Sequence, residues 1–333
     1  MAARAGVSRA TASRVVNNLD RVAPHVVESV QAAIRELGYV PNQAARSLAR
    51  RRTGVVAVVI PESTERLFAD PFFAAVIQGA SDHLATTDYT LNLAIGSNES
   101  EKSRRYLTGG NVDGVLVISQ HDDDLPVTQL GLAVPIVFAG RPALDVDERG
   151  CYVDVDNRGA TAAAVRHLID LGRTKIATIA GAQDLRAGRD RLQGWRDALS
   201  AAGLAANRLA EGDFTPESGT LAMEKLLAGP ELDAVFAAND QMAFGAISAI
   251  VRTGRTVPGD VAVVGFDDDQ FSRAARPTIT TVHQPAREMG QVMARHLLAL
   301  MNGETVEPVT LLPTELVVRE SSWTTDSTTT PTP

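Results

Sequence analysis

From Gly54 onward the chain alternates short runs of consecutive apolar residues with helical stretches, and no other feature constrains the fold as strongly. The runs are Val55–Ile60, Leu91–Ile95, Val112–Ile118, Val134–Ala139, Lys175–Ala180, Ala234–Ala237, Val261–Phe266 and Thr280–His283. Apolar residues on successive positions, rather than alternate ones, predict strands buried on both faces of a parallel sheet. Between them, Phe73, Val76, Ile77, Ala80 and Leu84 follow the stripe of an amphipathic helix. So do Leu168 and Leu171 after the Ala160–Ala164 run, and Ala243, Ile247, Ile250 and Val251. Repeated βα units predict a doubly wound α/β architecture. Roughly 265 residues exceed one comfortable sheet, so two sheets with a cleft between them are expected. The end of the chain, Thr324–Pro333, has nothing apolar to bury and is expected to be disordered.

The segment before Gly54 is of a different kind. It shows no strand-like alternation, and residues 1–52 hold nine arginines against Asp20, Glu28 and Glu36, a balance of +6. The whole chain is at −8, so the remainder carries −14. A net acidic composition alone would argue against nucleic acid, but a cationic head on an acidic body reverses that inference. Gly6 and Ser8 read as a tight turn and a helix cap before Arg9–Asn17. That helix points Ala12, Val15 and Val16 inward, leaving Arg9, Ala10, Ser13 and Arg14 on other faces. A further helix spans Pro24–Leu37, with Val27, Val30, Ile34 and Leu37 as its stripe and Gly38 as its stop. Three short helices around an alanine/valine core, the second bearing arginines and Pro24–Leu37 the third, follow helix-turn-helix logic; an ordinary helical hairpin with solvated arginines is the bland alternative. Asn42–Arg50 is helix-capable but too short to be helical alone. Its Leu48 and the following Arg51-Arg52 suit a minor-groove wedge, and equally a charged linker.

These residues carry a resemblance. AGVSRATASRVVN at Ala5–Asn17, LGYVPN at Leu37–Asn42 and AARSL at Ala44–Leu48 resemble the LacI/GalR family of transcriptional regulators. The likeness continues through Asp70–Phe73, Asp156-Asn157, Arg191–Trp195, Ala238–Gln241, Val264–Asp268 and Leu316–Ser321, covering nearly the whole chain. The resemblance implies an all-α helix-turn-helix head plus an α/β body of two doubly wound parallel-sheet lobes, periplasmic-binding-protein-like type I. It implies a DNA-binding domain over residues 1–41, a hinge helix over 42–53, and an effector-binding and dimerisation domain over 54–321 that crosses between lobes near residues 152 and 282. Residues 322–333 are left as a tail. The DNA surface would comprise Ser8, Arg9, Ala10, Thr11, Ser13, Arg14, Asn17, Asn42, Ala45 and Leu48. Of these, Arg9 and Ala10 would face base edges, and Leu48 would pry open the central base step. Two departures stand out. The family's first helix opens several residues before Met1, so either the start is misplaced or the head begins frayed. Ala23 also stands where a Ser or Thr cap is usual, at a cost of roughly 1 kcal/mol.

Ligands of open α/β sheets sit beyond the carboxyl ends of strands. Asn239 and Asp267 directly follow two predicted strands, and Arg191 opens an amphipathic helix after the Gly181–Gly188 loop. Phe72, Phe73 and Phe214 are loop-associated aromatics in a chain with only 5% aromatic residues. Carboxylate, amide and guanidinium groups beside flat rings suit a polyhydroxylated ligand. Each has an alternative: Asp267 as a turn cap, Phe73 as core, Arg191 paired on the surface with Asp190 or Asp197, and Asp122–Asp124 as a solvated loop. The resemblance places Arg191, Asn239 and Asp267 against the effector, matches Phe214 to an aromatic of sugar-responsive members, and sets Gln284 near the crossover.

Catalysis finds no support in motifs: the six histidines have no metal spacing, and no phosphate-gripping loop or nucleophile elbow is present. A lone cysteine, Cys151, excludes an internal disulfide framework. No apolar run approaches the ~20 residues of a membrane helix. The reading is a cytoplasmic repressor without cofactor. Its partners would be pseudo-palindromic double-stranded operator DNA, a carbohydrate effector and a second copy of the chain. A sugar-binding transport protein is the alternative. The polar tail has no leucine heptads for tetramer formation.

Overall fold

The computed structural model describes residues 1–16, 22–39, 52–96, 101–122, 134–142 and 150–323. It divides into two compact units, Met1–Gly54 and Val55–Pro333. Asn17, Asn42, Ala45 and Leu48 lie outside the described residues, as do 42–51 of the expected hinge helix and 324–333 of the expected tail; Ser322, placed in the tail, is instead buried against Thr280 and His167.

In the head, turns over residues 2–6 stand where the first of the three expected helices would lie, too short a stretch before Ser8 to hold a helix; α1 (Arg9–Val16) and α2 (Pro24–Leu37) follow. The Ser8 hydroxyl accepts the Thr11 backbone N–H at 3.0 Å, so the predicted cap forms. Gly38 closes α2 in the left-handed region at φ 56°, its N–H and that of Tyr39 returning to Arg35 and Ile34. The interior is small: Ala12, Val15, Val30 and Ala33 are buried. Leu37, predicted inward, is half exposed, because it sits on the last turn beyond the reach of α1.

The body contains two six-stranded sheets. The first runs β11-β5-β4-β3-β1-β2, with β1 Val55–Ile60, β2 Thr90–Ile95, β3 Gly114–Ile118, β4 Ile136–Ala139, β5 Gly150–Val155 and β11 Val309–Leu312, all neighbours parallel. The second runs β12-β10-β9-β8-β6-β7, with β6 Ile176–Ala180, β7 Leu209–Glu211, β8 Ala234–Ala237, β9 Ala262–Asp267, β10 Thr280–His283 and β12 Glu315–Val317. Its edge strand β12 is antiparallel to β10, the one departure from the expected parallel order. The chain passes from the first sheet to the second after Val155, returns after His283, and crosses a third time between Leu312 and Glu315. The last passage is absent from the sequence reading, because β11 and β12 are short edge strands with half-exposed faces.

Helices cover both faces. In the first lobe α3 (Thr64–Ala69) and α4 (Pro71–Leu84) follow β1, and α5 (Glu101–Thr108) follows β2. In the second lobe α6 (Asn157–Asp170) packs on α7 (Arg186–Ala201), and α8 (Pro216–Ala228) on α9 (Asp240–Arg252). The short α10 (Gln270–Ala274) follows β9; α11 (Ala286–Met301) then returns to lie along α4. That packing is backbone-close: a Cβ at Gly79 would stand 1.9 Å from the Arg287 carbonyl oxygen, and one at Gly290 2.0 Å from that of Val76. Val251, expected on the α9 stripe, is exposed at the end of the helix.

Candidate functional site

In the head, Arg9, Ala10, Ser13 and Arg14 are all exposed on α1, while Ala12 and Val15 turn inward. Positions 9 and 13, and 10 and 14, form adjacent rows one helical turn apart, so these four side chains present one surface. Thr11 is half-buried and touches the capping Ser8 hydroxyl at 2.9 Å.

In the body, a cavity of about 830 Å³, its open mouth included, lies between the two lobes. Phe72, Phe73, Arg191, Phe214, Asn239, Asp267 and Gln284 all line it. The strand ends and helix starts that bear them converge as open α/β sheets require. Phe73 also belongs to the first lobe's core, so both of its readings hold.

The centre of the floor is Arg191, buried on α7. Its Nε donates to Asn157 Oδ1 at 2.8 Å, and one terminal nitrogen donates to the Ala238 carbonyl at 2.6 Å and to Asp267 Oδ1 at 3.3 Å. The guanidinium lies 3.7 Å from the centre of the Phe266 ring. Arg191 therefore pairs inward; Asp190 and Asp197 are taken by Arg141 and Arg158. Gln284 donates to the same Asp267 oxygen at 2.6 Å, which brings the second crossover into the network. Asp267 has a left-handed backbone, φ 110°. It caps no helix; Asp269 does that for α10. Burial pushes the Asp267 carboxyl up to about 8, against the pull of Arg191. Burial also raises the carboxyls of Asp70 and Asp154 on the cavity wall and moves Arg191 downward.

Phe214 supplies a flat wall. Its backbone is left-handed at φ 71°, and the Asn239 amide donates to its carbonyl at 2.9 Å. The ring covers Gly181, where a Cβ would come within 2.1 Å of it, and the Arg66 guanidinium stands 5.7 Å from its centre. A strained non-glycine residue held by a neighbouring amide is a feature of positioned binding residues. Sequence reasoning missed Arg66, Asp70, Arg141, Asp154 and Asn157, which also line the cavity. Asp70 and Asn157 stood only inside the motifs Asp70–Phe73 and Asp156-Asn157, with no role assigned, and Asp154 lies within a strand.

A two-lobed α/β body joined in sequence to a basic head, with two helices among its described residues, defines the class. A periplasmic binding protein-like domain matches residues 165–322, and bacterial regulatory proteins of the lacI family match residues 1–42. The chain is 48% identical over 328 residues to the HTH-type transcriptional regulator CelR of Thermobifida fusca, covering 96% of each chain. It is 34% identical to catabolite control protein A of Priestia megaterium, over 97% of this chain and 98% of that one. Among solved structures, a CelR–cellobiose complex aligns with TM-score 0.77 at 46% identity, covering 96% of this chain and 98% of that one. The lac repressor dimer bound to operator and the anti-inducer ONPF aligns with TM-score 0.85 at 30% identity, over 97% and 98%. The chain belongs to the LacI family and is a transcriptional regulator; these relatives are regulators, not enzymes. No helix among the described residues is long and apolar enough to cross a membrane.

Proposed function

We propose that this regulator is a cytoplasmic repressor that releases or grips its operator according to the occupancy of the interlobe cleft. Its effector would be a neutral sugar, with cellobiose the first to test. One observation carries the reading: Arg191, Asp267, Asn157 and Gln284 form a mutually bonded floor beside the Phe214 ring, where α7, β9 and the chain passages meet. Hydroxyl groups need fixed donors and acceptors, and a sugar's C–H face needs a ring to lie on. The CelR complex with cellobiose supports the choice of probe.

At the other end, the exposed row Arg9, Ala10, Ser13 and Arg14 would read base edges, with Ser8, Thr11, Asn17, Asn42, Ala45 and Leu48 completing the DNA surface. One head reads one half-site, so a dimer on a pseudo-palindrome is the expected complex. The floor belongs to the second lobe and the crossover, while Phe72, Phe73 and Arg141 wall the cavity from the first, so a sugar that touches both would favour one lobe angle. Linkage then makes the DNA and sugar affinities alter each other by the same factor. Cleft side chains bonded chiefly to one another suit binding without chemical conversion of the sugar.

The test is selection of chromosomal fragments by the full-length protein, followed by titration of the selected duplex with and without cellobiose. A change in duplex affinity of about 5-fold or more is expected, together with steep weakening by salt. Asp267→Ala should bind the duplex almost normally and lose the sugar response. A selected duplex unaffected by any sugar would overturn the reading.

A further inference from the structure

On one side of the cavity the two lobes are tied together by charge. His121, in the first lobe after β3, lies 2.7 Å through Nδ1 from Asp184 of the second lobe, and 2.9 Å through Nε2 from buried Glu62 of the first. Ser119 donates to Glu62 at 2.6 Å, and Arg66 stands 3.4 Å from it. Asp122 is held bidentately by Arg189 of α7, one arm at 2.9 Å, and the Asp122 N–H donates to the Asp184 carbonyl at 3.0 Å. Arg141, after β4, reaches both oxygens of Asp190 with one terminal nitrogen, at 2.9 and 2.7 Å. These ties lie in the segments that line the cavity: Gln120 precedes His121, Leu185–Ala187 follow Asp184, and Arg141 is itself a wall residue.

We propose that residues 119–122 and 182–190 form the gate of the cleft. Three cross-lobe pairs, His121–Asp184, Asp122–Arg189 and Arg141–Asp190, hold it shut and set how long a bound sugar stays. The proposal rests on the cleft being the sugar site. Three features favour a gate over incidental surface pairing. All three pairs join opposite lobes, whereas Arg158–Asp197 and Lys175–Glu231 stay within one lobe. One of the three, Asp122–Arg189, is a two-nitrogen fork on both carboxylate oxygens, a geometry stronger than a single contact. The partners are also partly exposed, Asp184 at 50% and Arg141 at 45%, so water and salt can compete for them as the lobes part. His121 faces acids from both lobes and is pushed up to about 9, chiefly by Glu62 and then Asp184, so it holds the gate as a cation at neutral pH.

The test measures cellobiose release by stopped flow and lobe separation by spin-label distance in the full-length protein. Labels go on Glu65→Cys and Glu217→Cys, exposed positions on α3 and α8 in opposite lobes; buried Cys151 stays unlabelled. The variants are Asp190→Asn alone and with Arg189→Gln. The double variant should release sugar about tenfold faster, as expected for losing two partly exposed pairs, and lose most of the salt dependence seen in the parent. Its interlabel distance should lengthen, as the parent's does at 1 M salt. The charge swap Asp122→Arg with Arg189→Asp, at residues outside the cavity lining, should release sugar as slowly as the parent where either change alone speeds it, which a merely structural role would not predict. Unchanged release and unchanged distances in the variants, or a parent indifferent to salt, would overturn the gate. If no cellobiose binds but the distances still respond to charge and salt, the gate stands and the choice of sugar falls.

Discussion

The head and the cleft both use arginine, and they use it in opposite ways. Arg9 and Arg14 project from a helix that buries Ala12 and Val15 against Val30 and Ala33 of α2, and both arginines are exposed, so they contribute little to holding the head together. Arg191 is buried, its donors are spent on Asn157, Ala238 and Asp267, and its flat face lies on Phe266. A residue that reads a partner from an exposed face separates recognition from folding. One that also holds the floor of a site together cannot, because its removal strands the groups it satisfied.

Arg191→Met should therefore cause the largest change. It leaves the Asp267 carboxyl beside Gln284 without its cation, and breaking a buried pair costs about 3–5 kcal/mol. Thermal melting should show a large fall in Tm, and sugar binding should disappear. Arg9→Ala should do the converse: operator affinity falls by about 1–3 kcal/mol while the melting curve is unchanged. If Arg191→Met melted normally, or Arg9→Ala unfolded the head, the contrast between the regions would be lost.

A smaller effect concerns the gate. The folded His121 titrates near 9 rather than at its ordinary value of 6.5, owing to Glu62 and Asp184. Its contribution is full below 6.5 and is lost as pH rises through about 9. Asp267, raised to about 8, also makes the protein less stable as pH rises, but over the lower window between 3.8 and 8. His121→Gln should therefore lower Tm by about 2–4 °C below pH 6.5 and converge on the parent above pH 9, flattening the fall between. A parallel shift of the whole curve would show that His121 acts by packing alone.

The contrast also explains what was legible beforehand. Strands such as Val55–Ile60 and Val261–Phe266 are apolar at nearly every position because both their faces are covered, and a solid run survives without context. Gly150–Val155 reads Gly-Cys-Tyr-Val-Asp-Val, and its Asp154 is tolerated only because Val155, Asn157 and Arg141 donate to it. Nothing local announces those donors. Leu209–Glu211 is too short for any period, and Val309 and Leu311 on the β11 edge are partly exposed. In the cleft, Arg191, Asn239 and Asp267 were legible from their place after predicted strands and loops and from resemblance. The partner of Arg191 was not, because the surface acids Asp190 and Asp197 were nearer in sequence than Asp267.

The smallest predicted effect tests the head's independence most directly. Ala23 precedes α2 with an extended backbone, φ −61° and ψ 141°, and no side-chain cap. The Val26 and Val27 N–H groups turn to the Ala23 carbonyl at 2.9 and 3.2 Å. A serine hydroxyl there would accept from the first turn as Ser8 does for α1, worth about 0.5–1 kcal/mol. Ala23→Ser touches neither the base-facing row nor the cleft. It should slow amide exchange throughout α2 by about 2- to 5-fold, the same free energy expressed as an opening constant, and leave sugar affinity unchanged. Operator affinity should rise only by the fraction of heads that had been unfolded, with no change in preferred sequence. A shifted sequence preference would mean that the cap's geometry, and not only the head's stability, reaches the bases.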